Sequence, residues 1–87
     1  MEQVLVLEHA LKHGLDEKQI LHAWRNAFAS ATIVRDDGMT DLVTIGFDQN
    51  GRPIEMTARK KPYGLLIYHA KTPPTPRAFR ELGLAGK

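Results

Sequence analysis

Four histidines, His9, His13, His22 and His69, are the side chains whose ordinary pKa lies near neutrality, which makes them the first candidates for acid–base chemistry. Cysteine is absent, so thiol nucleophiles, thiolate metal sites and disulfides are excluded. His9 and His13 stand four apart, a spacing that puts two imidazoles on one helical face, as in many zinc sites. Ala10 sits where the zinc-protease pattern needs a glutamate, and no metal or other cofactor is expected. His13 also suits a helix end just before Gly14, where it can donate to unpaired carbonyls. His22 falls on the polar side of a helix.

His69 is placed differently. In "GLLIYHAKTPPTP", Gly64 to Pro76, an apolar strand-like run ends on His69 and Lys71 and is stopped by Pro73, Pro74 and Pro76, which lack amide donors. A side chain at a strand end beside such a break is held firmly and still meets solvent. The competing reading is a partly buried structural histidine. Strict alternation puts His69 and Lys71 on the side of Leu65 and Ile67, with Leu66, Tyr68 and Ala70 opposite. Both sides are partly apolar, so the strand is expected to be central in its sheet.

Cations gather in the same part of the chain. Met1 to Gly51 holds four Lys/Arg against eight Asp/Glu, whereas Arg52 to Lys87 holds eight against two, and that division points to a polyanionic partner. Arg35, Arg52, Arg59, Lys60, Lys61, Arg77 and Arg80, with Tyr63 and Tyr68 among them, combine phosphate-holding charge with rings able to stack on bases. Segregated surface charge without a ligand is the plainer alternative.

The elements that must position these groups follow from punctuation and period. At 87 residues the chain is read as a single domain, 1–87, with one small core. A short first helix over Glu8–Lys12 is expected to end at Gly14. Asp16 with Gln19 fits a capping box, and Ile20, Leu21, Trp24, Ala27 and Phe28 then recur at helical spacing. From Thr32 onward, "ATIVRD", "DLVTIGFD", "RPIEMTAR" and Gly64–Lys71 read as strands, with a hairpin at Asn50-Gly51. "PRAFRELG" reads as a final helix opened by Pro76. The expected fold is therefore α+β: two N-terminal helices, an antiparallel sheet of three or four strands and a short C-terminal helix. No apolar run has the length of a membrane span and no signal peptide is evident, so a cytoplasmic location is expected.

"KHGL" followed by Glu17, then "TIGFDQNGR", then "IYHAKT" resembles BrnT, the ribonuclease toxin family of type II toxin–antitoxin systems, whose fold belongs with RelE-like toxins. Lys12-His13-Gly14, Ile45-Gly46, Gly51-Arg52 and Ala70-Lys71 carry the likeness. His9 stands where that family usually has asparagine, His69 where it often has serine, and Lys71 where it has arginine. The resemblance implies a RelE/BrnT-like fold and metal-independent endoribonuclease activity by attack of a ribose 2′-hydroxyl on its own phosphate. It implies His69 as acid or base, with Lys71 and Arg52 stabilising the phosphorane charge. Lys12, His13, Arg35, Arg59, Arg77 and Arg80 would hold RNA, and a small DNA-binding antitoxin would be the partner. A non-catalytic module binding nucleic acid or an acidic peptide on the same scaffold is the alternative, and a domain used only for protein contacts is a third.

Overall fold

The computed structural model describes residues 3–11 and 13–84. The chain opens with a strand, β1 (Gln3–Val6), makes one 3-10 turn (Glu8–Leu11), and forms helix α1 (Glu17–Arg25). Strands β2 (Ala27–Val34), β3 (Thr40–Phe47), β4 (Pro53–Lys61) and β5 (Gly64–Lys71) follow, and then helix α2 (Pro76–Glu81). This mixed α+β molecule, built mostly of strands, corrects the expected layout. The two N-terminal helices are one 3-10 turn and one α-helix. The sheet has five strands rather than three or four, and it is not wholly antiparallel. The RelE/BrnT-like plan is therefore overturned.

The misreadings have physical causes. Gln3–Val6 is four residues long, too short for its alternation to separate a strand from a helical turn. Ala27 and Phe28 continue the helical spacing of α1, but Asn26 stops the helix first. Its amide donates to the carbonyls of His22 and Ala23, and its side-chain Nδ2 donates to His22 O at 2.8 Å. The chain is then free to enter β2. At the other end, Asp16 accepts from the Gln19 amide at 2.7 Å and the Gln19 side chain accepts from the Asp16 amide, closing the capping box.

The strand order is β1-β5-β4-β3-β2. Strands β2 to β5 form an antiparallel meander, and β1 adds in parallel to β5, with Gln3 opposite Gly64 and Val6 opposite Ile67. The parallel edge requires close approach, because a Cβ on Gly64 would fall 2.2 Å from the carbonyl oxygen of Gln3. Helix α1 packs as tightly on β3. A Cβ on Gly46 would lie 1.8 Å from the Ala23 carbonyl oxygen.

One face of the sheet, with α1, holds the main core: Leu15, Ile20, Ala23, Ile54, Met56, Ala58, Ile67 and Ala70. Burial of each large aliphatic there contributes about 1.5–3 kcal/mol. The other face carries Val43, Ile45, Glu55, Thr57 and His69, and α2 crosses it with Ala78 buried. No helix among the described residues is long and apolar enough to cross a membrane.

Candidate active site

The central device is a register shift. Ala58 pairs with Ile67, but Thr57 pairs with His69, so Tyr68 is an extra residue in β5. Directly paired residues point to the same face. Without the bulge His69 would lie opposite Met56, inside the α1 core. With it, His69 and Lys71 share the face of Thr57 and Glu55, while Ala70 joins Met56 in the core. Strict alternation had grouped His69 with Leu65 and Ile67; the bulge reverses that grouping and keeps His69 and Lys71 together.

On that face Glu55, only 7% exposed, meets the His69 ring. The Nε2 atom of His69 lies 2.7 Å from Glu55 Oε2, and the amide of Thr75 donates to Oε1 at 2.6 Å. Burial alone pushes the Glu55 carboxyl up, but the bonds from His69 and Thr75 outweigh it and bring it down to about 2. An ionised carboxylate only accepts, so Nε2 donates to it, and in the neutral form of the ring the lone pair is on Nδ1. That is the arrangement of a base oriented by an acid.

A cavity of about 400 Å³ opens beside this pair, and His9, His13, Arg35, Arg77 and Glu81 also line it. The 3-10 turn reaches it because β1 runs parallel to β5 and delivers the chain to the end of the sheet where His69 lies. The rings of His13 and His69 stand edge to face, 6.3 Å apart between centroids at an interplanar angle of 78°. The imidazoles of His9, His13 and His69 thus meet one cavity.

Beneath them lies a charge network built on Asp41, which is fully buried. Asp41 accepts from Arg59 Nε at 2.6 Å and Nη2 at 3.2 Å, from Arg35 Nε at 2.9 Å, and from the Tyr68 hydroxyl. Burial pushes Asp41 up; the bonds from Arg59, Tyr68 and Arg35 prevail and hold it at about 2. Arg35 is raised above its ordinary value by Glu81 and Asp41, and Arg59 by Asp41. Tyr68 is pushed up by burial and by its bond to Asp41. The Arg59 guanidinium also sits 5.2 Å from the centre of the Tyr68 ring, a cation–π contact.

Of the residues singled out in the sequence, His9, His13, His69, Tyr68, Arg35 and Arg77 come together around the cavity. Lys71 lies opposite Glu55 on the same face, with no ion pair among the described residues. Arg52 is turned elsewhere: its Nε is 3.0 Å from Asp48 Oδ2, and that same oxygen accepts from Gln19 of α1 at 2.9 Å. Arg59 belongs to the Asp41 network, and Arg80 is exposed on α2 outside the cavity lining. Lys12 lies outside the described residues. Glu55, Asp41 and Thr75 were not legible as members of the site, and Tyr68, expected as a ring to stack on bases, gives its hydroxyl to Asp41. Glu55 binds His69 and Thr75. Among the described residues no three His, Asp or Glu side chains are grouped to hold a metal ion. No family model, curated protein or solved structure matches the chain.

Proposed function

We propose that the cavity is the active site of a metal-independent endoribonuclease. The observation that carries this reading is the 2.7 Å contact between His69 and Glu55, an oriented base facing a cavity that a second imidazole shares. In the proposed reaction His69 Nδ1 takes the proton of a ribose 2′-hydroxyl while that oxygen forms a bond to the adjacent phosphorus. The bond from phosphorus to the 5′-oxygen breaks, and His13, in its protonated form, gives that oxygen a proton. Positioned acid–base groups of this kind typically contribute about 100- to 10,000-fold. Glu55 keeps the ring oriented and stabilises the imidazolium, and Lys71 and Arg77 offer charge to the phosphate. Ribose is required because only it carries the attacking hydroxyl.

The further role of toxin in a type II toxin–antitoxin pair, with a small DNA-binding antitoxin as partner, rests on the short BrnT motifs alone. The test of the activity is direct. Purified protein in EDTA is expected to cleave RNA, leaving 2′,3′-cyclic phosphate ends, and to spare the 2′-deoxy polymer; no cleavage, or equal cleavage of both, overturns it.

A non-catalytic binding module is favoured by one contact, the bond from the Thr75 amide to Glu55, which gives the carboxylate a tethering role. His69→Ala separates the two: the nuclease loses turnover and retains salt-dependent RNA binding, whereas a binding module has no turnover to lose.

A further inference from the structure

The rim of the cavity holds an ion pair, Arg35 with Glu81, that the reaction above leaves unused. Arg35, just beyond β2, commits its Nε to buried Asp41 and turns Nη1 to Glu81 Oε2 at 2.7 Å. Arg77 points its Nε at the same oxygen from one turn earlier in α2, at 3.4 Å. All three side chains line the cavity. Glu81 is the last residue of α2 and its only acidic one. A carboxylate at that end of a helix faces unpaired carbonyls, so the helix itself gives no reason for it. Two guanidinium groups converging on one oxyanion are the donor set that also suits phosphate, which offers arginine similar acceptors with more charge.

We infer that Arg35 and Arg77 form a phosphate site at the rim of the cavity, and that Glu81 is the anion filling it in the free protein until an incoming phosphate displaces it. The inference rests on the reading of the cavity as a phosphodiester site, and it adds where a backbone phosphate docks and what holds that place beforehand. Arg35 stays anchored to Asp41 throughout, so the site keeps its position when Glu81 leaves.

Calorimetric binding of inorganic phosphate and of a 2′-deoxy oligonucleotide tests it, using wild type, Glu81→Gln, Arg77→Gln and the double variant. Glu17→Gln, an exposed position on α1, controls for the loss of one negative charge. Glu81→Gln is expected to bind tighter than wild type by roughly 3- to 10-fold, as expected for removing one charge-assisted competitor. The gain should exceed that of Glu17→Gln and vanish when Arg77 is also replaced. A gain with both probes assigns the site to phosphate as such, and a gain with the oligonucleotide alone assigns it to a nucleic-acid backbone; either supports the inference. No gain beyond the control, or a gain that survives without Arg77, overturns it.

Should Glu81→Gln fail to fold, phosphate is titrated into wild type while the arginine Nε–H signals are followed by NMR. Shifts at Arg35 and Arg77 support the site, and their absence overturns it. The deoxy probe lacks the attacking hydroxyl, so its binding is independent of turnover. Tighter binding by Glu81→Gln without RNA cleavage defeats the nuclease and leaves the site standing, and cleavage without the Glu81 effect does the reverse.

Discussion

Two donors converge on Glu55, the His69 ring and the Thr75 amide, and a carboxylate accepts from both. An amide in its place has one acceptor oxygen, so in Glu55→Gln one of the two donors must face an NH₂ group. The cost expected for such a buried mismatch is about 1–3 kcal/mol, read from urea denaturation, and the His69 ring should show a changed tautomer by nitrogen NMR. Unaltered stability and tautomer would mean that the pair is not formed. His69 was visible in the sequence because a strand ended on it beside three prolines. Glu55 was not, because the bulge at Tyr68 decides which residues of β4 share its face, and Tyr68 carries no glycine or other local mark of a bulge. Asp41, and its bond from Tyr68, were hidden for the same reason: the partners lie on different strands, and side-chain pairing across a sheet depends on a register that composition does not reveal.

Helix α1 rests on β3 with no side chain between them at Gly46, where Ala23 presents its backbone. Gly46→Ala forces the helix outward from a packed core. Such overpacking typically costs about 1–3 kcal/mol, and a backbone neighbour that cannot rotate away favours the upper part of that range. Thermal unfolding of Gly46→Ala checks this, and an unchanged melting temperature would show that helix and strand are further apart than described. The start of α1 was legible, since Asp16 and Gln19 form a local box that needs nothing beyond four residues. Its end was not, because Ala27 and Phe28 fit the helical spacing while Asn26 stops the helix and pairing with β3 draws the chain into β2. Strand β1 was missed on similar grounds: four residues become a strand only when Gly64 lets them approach β5.

Three carboxylates tie the whole molecule to acid. Glu55 falls from an ordinary 4.5 to about 2, and Asp41 and Asp48 each fall from 3.8 to about 2. Burial opposes ionisation of Glu55 and Asp41, and the donors around them overcome it; for Asp48 the Gln19 side chain is the first cause, with the Arg52 and Asn50 amides assisting. Because the folded pKa values lie below the unfolded ones, the unfolded chain binds more protons in acid. The stabilisation is therefore complete above about 4.5 and is lost as pH falls towards about 2. A urea midpoint that stays level through that acid window would refute the carboxylate networks. The excess of cations in the second half of the chain was plain from counting, but its meaning was not. Arg52 and Arg59 of that half spend their charge on Asp48 and Asp41, so the number of basic residues overstates the positive field at the cavity. The parallel seam between β1 and β5 carries one more consequence. It joins Gln3 to Gly64 across about sixty residues of chain, a closure that local contacts cannot nucleate, so the wall bearing His9 and His13 takes its place only once β5, which bears His69, is present to receive β1. A growing chain thus stays without that wall in place until β5 has been made.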